Sequence, residues 1–333
     1  MVLVSTELAR WPLLALAALA AAPVAAAPAP TASTASPIRV WASPADGALI
    51  DALEAGYRQV NPAARFATTL HGPESTLASV NMDVADVAFM AREIRVPLET
   101  MAFEWEHHYA PFEIQIANAG LGARRGPDRP GVNLAFFVNR HNPLACVTLR
   151  QADDIFGADH RRGGANIRTW GGLALTGTWA ARPVRVYGPP LDRFSAVFIR
   201  SRVLDGSRKW NAAYHAVPGG WRAVLRAVAH DPDGITYAPP VPGHAGVKAL
   251  RLAADGGGAC VTLDARTAVA RSYPLARAID VVLDRHPGAA VPPAVDRFLR
   301  YVLSDAGQQV IAADGTYLPL RAADARAQAR RLE

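Results

Sequence analysis

The chain has 333 residues, 50% of them hydrophobic and 19% charged, with a formal net charge of +6. That length suggests two lobes rather than one small domain, and the composition excludes a disordered chain. Arginine is scattered, with no block of five like charges and no basic stripe interleaved with aromatics, so nucleic acid is not the expected partner; a sequence pI of about 9.7 favours anionic ligands or surfaces.

At the N-terminus, Arg10 precedes the apolar run Trp11-Pro12-Leu13-Leu14-Ala15-Leu16-Ala17-Ala18-Leu19-Ala20, and Val24-Ala25-Ala26 supplies the small residues of a cleavage site. Residues 1–26 are therefore expected to be a signal peptide cleaved on export to the periplasm. Residues 27–37, rich in Ala, Pro, Ser and Thr, read as a linker. The competing reading is an uncleaved anchor, for which residues 11–27 are short and weakly apolar. Ile38-Arg39-Val40-Trp41-Ala42 alternates as a strand does. Asp46 is placed to cap a helix with the stripe Leu49, Ile50, Leu53 and Tyr57, closed by Asn61-Pro62. A strand over 65–70, a short helix near 76–81 and a strand over 84–90 continue an alternation that suits a parallel or mixed α/β sheet.

The run Leu134-Ala135-Phe136-Phe137-Val138 is apolar enough for a strand covered on both faces. A helix near 150–156, a Gly-rich loop over 163–177 and a strand at 184–187 come next. Helices over 195–204 and 219–229, a short strand at 235–237 and a turn at 256–258 follow. The final helix is expected behind Pro292-Pro293, with the stripe Val295, Phe298, Leu299, Val302 and Leu303. The two cysteines, Cys146 and Cys260, sit in similar apolar contexts. A disulfide, which an oxidising periplasm permits, and two buried thiols are both open readings. Trp170, Trp179, Trp210 and Trp221 are read as packing residues, with cleft lining as the alternative.

Several segments, in order, carry a family pattern. They are Glu74-Ser75-Thr76, Val84-Ala85-Asp86-Val87-Ala88-Phe89-Met90-Ala91-Arg92-Glu93, Asp154-Ile155-Phe156-Gly157, Gly234-Ile235-Thr236-Tyr237 and Ser272-Tyr273-Pro274-Leu275-Ala276-Arg277. The close is Gly307-Gln308 followed by Asp314-Gly315-Thr316-Tyr317-Leu318-Pro319-Leu320, with Thr316 inserted between the glycine and the tyrosine. Over about residues 38–320 the chain resembles the PstS-like phosphate-binding proteins, soluble receptors of ABC importers. The resemblance implies an α/β, two-lobed periplasmic binding protein type 2 fold with a hinge of two crossover strands. Lobe 1 would hold residues 38–137 and 246–333, lobe 2 residues 138–245, and the ligand would sit between them. It also implies a monomeric binder rather than an enzyme, without cofactor or metal, passing a small anion such as phosphate to an ABC permease.

Three loops and one strand end supply the candidate ligand-binding residues: Ser43, Ser75, Thr76, Arg92, Arg193 and Ser195. Ser43 lies in Ala42-Ser43-Pro44-Ala45-Asp46-Gly47, ahead of a helix N-terminus that suits an oxyanion. Ser75 matches the family's ligand serine, with Thr76 beside it. Arg92 offers a planar donor fork. The third loop, Gly188-Pro189-Pro190-Leu191-Asp192-Arg193-Phe194-Ser195-Ala196, departs most: Pro189 stands where the family has Arg, and Phe194-Ser195-Ala196 where it has Ser-Gly-Thr. Arg193 and Ser195 would substitute after a shift. The alternative reading is a degenerate binding-fold protein, a sensor or protein-interaction module without tight phosphate binding. No Gly-x-Ser-x-Gly elbow or zinc-protease spacing occurs, so nothing marks an enzyme.

Overall fold

The computed structural model describes residues 36–90, 97–121, 133–241 and 243–333. The expected signal peptide, all but the end of the linker, and Arg92 lie outside the described residues. Among the described residues no helix is long and apolar enough to cross a membrane.

The chain opens with β1 (Ile38–Ala42) and α1 (Gly47–Val60). The α1 stripe of Leu49, Ile50, Leu53 and Tyr57 is buried, as its spacing requires. Then come β2 (Phe66–Leu70), α2 (Thr76–Asn81), β3 (Val87–Met90), α3 (Pro97–His107) and β4 (Phe112–Asn118). The chain continues through β5 (Ala135–Asn139), β6 (Cys146–Thr148), α4 (Leu149–Phe156), β7 (Arg185–Gly188) and α5 (Phe194–Arg202). Next are β8 (Tyr214–Ala216), α6 (Gly220–His230), β9 (Gly234–Ala238), β10 (Val247–Ala249) and β11 (Arg251–Ala253). It ends with α7 (Ala265–Val269), β12 (Ala278–Leu283), α8 (Pro293–Val302), α9 (Asp305–Asp314) and α10 (Ala322–Arg330). The helix behind Pro292-Pro293 is therefore not the last. Ser304 caps a further one, its hydroxyl accepting from Gly307 N at 3.3 Å.

Two five-stranded sheets result. The first has the order β2-β1-β3-β12-β4, parallel across β2, β1 and β3 and antiparallel at β12. Ile38, Val40, Val87, Phe89, Ile114 and Val281 face a core closed by α1, α8 and α9 residues, while Ala88, Met90 and Val282 face Leu77, Val80 and Phe103 of α2 and α3. Both faces are covered, which explains why β12 reads Ala-Ile-Asp-Val-Val-Leu and is buried at every position. The second sheet runs β10-β5-β9-β7-β8, with its own core around Phe136, Phe156, Trp170 and Tyr237. Trp179, Trp210 and Trp221 pack against that core.

The sheets divide the chain at different points from the expected 138–245 insertion. β5 starts at Ala135 and β10 pairs antiparallel with it (Val247 opposite Asn139), both in the second sheet; β6 and β11 pair in parallel as a separate two-stranded sheet whose Val147 and Leu252 join the second sheet's core. Leu250, Tyr273 and Leu275 join the same core. Cys146 on β6 and Cys260 form a disulfide with their Cα atoms 6.1 Å apart. Described segments cross between the sheets at Ala119, Asn133 and Arg277. Ala119 N donates to Arg277 O at 3.0 Å, Arg277 N to Asn133 Oδ1 at 3.1 Å, and Asn133 Nδ2 to Ala119 O at 2.6 Å.

Candidate functional site

Parallel strands carry their loops to one edge of a sheet, and the candidate residues follow that rule. Loop one leaves β1, loop two leaves β2, and His71 N holds them together by donating to Ala42 O at 2.9 Å. Ser43 stands at the head of a one-turn 3₁₀ helix (Pro44–Asp46), its hydroxyl accepting from Ala45 N at 3.3 Å. Asp46 occupies the N-cap position of α1 but makes no capping bond. Its carboxylate, in a residue 3% exposed, accepts instead from the Tyr317 hydroxyl at 2.6 Å. Local sequence favours the cap; a partner 271 positions away overrides it.

That partner is set in place by the chain's closing segment. Gly315 ends α9 in the left-handed region (φ 71°), where glycine carries no Cβ penalty. Leu318 then pairs its N–H and C=O with Asn118, at 2.9 and 2.8 Å. Gln308, buried in α9, fixes the same corner: it donates to Ile116 O and Val302 O and accepts from Leu320 N at 2.7 Å. Tyr317 is thereby directed inward. Burial first, then the Asp46 carboxylate, pushes its hydroxyl well above the ordinary tyrosine range, while the charge of Arg277 pulls the other way.

Loop two begins with a turn at Pro73–Ser75. The Ser75 hydroxyl accepts from Trp41 Nε1 at 3.0 Å, donates to Gly72 O at 2.8 Å and lies 3.3 Å from His71 Nδ1. It does not cap α2. Thr76, 2% exposed, is buried in the first turn. Its neighbour Ser75 has committed its one proton to the protein, which leaves oxygen lone pairs rather than a donor for an incoming anion.

Loop three leaves β7. Gly188 is required there because a Cβ would lie 2.0 Å from the Tyr214 hydroxyl. That hydroxyl donates to Pro189 O at 2.7 Å, and burial pushes its pKa up to about 12. Arg193 is the residue before α5, in extended geometry (ψ 146°), and its exposed guanidinium has no partner among the described residues. Ser195, in the first turn, has a buried hydroxyl oxygen with no hydrogen-bond partner among the described residues. No side chain caps α5. An uncapped helix N-terminus, an unspent hydroxyl and a free guanidinium thus meet within three residues, a chemistry suited to an oxyanion.

Ser43 and Ser75 are brought together at the edge of the first sheet, and Arg193 and Ser195 at that of the second. No contact joins the two pairs among the described residues. One link between the sheets is Arg277, which lies in the Ser272–Arg277 motif but is not among the candidate residues of the sequence. It is 9% exposed, its guanidinium lies over the Phe198 ring of α5 at 4.4 Å, and its charge acts on Tyr317.

The chain is 30% identical over 268 residues to the phosphate-binding protein PstS of two Pseudomonas aeruginosa strains, covering 80% of this chain and 77% of each relative. No profile of a known protein family matches it. Among solved structures, PstS from Borrelia burgdorferi aligns with a TM-score of 0.58 at 13% identity, over 85% of this chain and 98% of the other. An ABC-type phosphate transport receptor from Vibrio cholerae aligns with a TM-score of 0.55 at 17% identity, over 84% and 99%. A possible phosphate binding protein from Planctomyces limnophilus gives 0.53 at 17% identity, over 89% and 97%. These structures show the same two-lobed α/β architecture.

Proposed function

The chain belongs to the PstS family of phosphate-binding proteins, and from that premise we propose that it captures a small oxyanion, with phosphate the leading candidate, between its two lobes. It releases that anion to an ABC permease and performs no chemistry on it. The exported chain works in the periplasm as a monomer. The observation that carries the reading is Ser195: a buried hydroxyl at the uncapped N-terminus of α5, two residues from Arg193, neither side chain having a partner among the described residues. A buried donor left unused costs about 1–3 kcal/mol, which a bound anion recovers. Ser43 completes the first-lobe side at the edge of α1. Arg92 is the candidate second guanidinium.

Two observations favour the alternative of a sensor or interaction module. Pro189 stands where the family has Arg and is locked to Tyr214, and the Ser75 proton is spent on Gly72. Isothermal titration of the mature protein with phosphate, sulfate and tungstate separates the two readings. Saturable binding of at least one oxyanion, lost in Ser195→Ala, supports the receptor. Heats that stay flat for all three would replace it with the alternative.

A further inference from the structure

A recess of about 480 Å³ lies in the second lobe, apart from all three loops described above. Its walls come from the segment after α4, the residue before β7 and the turn before β8. Backbone hydrogen bonds fix each wall. Ala158 N donates to Lys209 O at 3.1 Å, Asn211 N to Phe156 O at 2.8 Å, Ile167 N to Asp154 O at 3.0 Å and Val184 N to Arg168 O at 2.8 Å. The recess is therefore preformed, and its volume falls within the range of about 300–1,000 Å³ usual for small-molecule sites.

Its chemistry is two-sided. Ile167 and Val184 supply an apolar floor; Arg168, Asn166 and His160 supply polar groups. The Arg168 guanidinium has no acid partner among the described residues. Nearby carboxylates are already engaged. Asp159 holds Ser207 and Lys209, at 2.8 and 3.2 Å, and Asp153 accepts from Arg162 N at 2.9 Å. Asp154, not itself a lining residue, is 5% exposed, with its Oδ1 3.6 Å from the buried Nδ1 of the lining His160. That separation is too long for a hydrogen bond, and both atoms are without a hydrogen-bond partner among the described residues.

We propose that this recess binds a small monocarboxylate with a short apolar tail. The planar fork of Arg168 takes the carboxylate, Asn166 and His160 add hydrogen bonds, and the tail covers Ile167 and Val184. An inorganic phosphate would leave that floor wet and find only one permanent charge. The site is independent of the oxyanion cleft, so either can fail without the other.

The test is calorimetric titration of the full chain with isovalerate, alone and in millimolar phosphate. The expected result is saturable binding at millimolar concentration or tighter, unchanged by phosphate. Arg168→Gln should weaken it at least about tenfold, the loss of a charge-assisted pair. Ala213→Trp, at an exposed wall position, should block it by filling the space. Isobutylamine, of similar size and opposite charge, should not bind. Absence of saturation, equal affinity in either variant, displacement by phosphate, or equal binding of the amine would each overturn the assignment. Circular dichroism and the thermal midpoint of both variants separate a lost site from a lost fold.

Discussion

Removing one oxygen from Tyr317 should loosen the first-lobe edge of the cleft. The Tyr317→Phe substitution keeps the ring and its packing, 6.0 Å from Phe89 between centroids, and deletes the donor to Asp46. Both residues are buried, at 5% and 3% exposure. A hydrogen bond to a charged acceptor contributes about 1.5–3 kcal/mol, so a loss of about 2 kcal/mol is expected. With an unfolding entropy of about 2.1 cal/mol/K per residue over roughly 300 folded residues, that lowers the thermal midpoint by about 3 °C. Urea unfolding should show the same loss as a lower midpoint with an unchanged slope. The diagnostic is a double-mutant cycle with Asp46→Asn, where the acceptor is neutral and the same deletion should cost only about 1 kcal/mol. A Tyr317→Phe variant within about 0.5 kcal/mol of the parent, or a cycle with no coupling, would refute the assignment of this pair as the brace of loop one.

Three further outcomes follow from the same geometry. Replacing Cys146 and Cys260 by serine opens a loop of sequence separation 114; the chain-entropy estimate for that closure is about 4.8 kcal/mol, and denaturation should show most of it, whereas a loss under about 1 kcal/mol would mean the bridge is not formed. Burial holds the Tyr214 hydroxyl up at about 12 and those of Tyr273 and Tyr317 above the ordinary value, so the unfolded chain ionises first. Stability should be fully present below about pH 10 and fall as pH rises beyond it, with Tyr214→Phe reducing the slope; a flat profile to pH 12 would contradict this. Arg193→Gln should weaken oxyanion binding about tenfold and flatten its salt dependence without changing the thermal midpoint, since the side chain is exposed and unpaired.

Local order was readable where neighbours in sequence decide the outcome. The α1 stripe and β1 follow from spacing, the turn at Asn61-Pro62 from its residue types, and β3 and β5 from continuous apolar runs. β4 and β12 escaped because they are defined by each other: Ile114 lies opposite Val281, partners 167 positions apart (281 minus 114), and no periodicity announces such a pairing. The Gly307-Gln308 motif, which reads as family pattern rather than as helix, lies in α9, and α10 follows the Leu320 close, where no element is expected. Site residues show the same division. Arg193 and Ser195 were identified from one loop and stand together in one. The residues beside Asp46 suit a cap, yet a distant tyrosine takes its carboxylate. The loop sequence makes Ser75 a donor to ligand, while Trp41, 34 positions earlier, and Gly72 occupy its hydroxyl. Arg277 carried no local signal beyond its motif; only the folded chain places it between Phe198 and Tyr317.

Small-angle X-ray scattering of the mature protein, with and without saturating phosphate, tests the capture of an anion between hinged lobes most directly. The account predicts a smaller radius of gyration with the anion, and no change in Ser195→Ala. A wild-type profile identical with and without phosphate would contradict it.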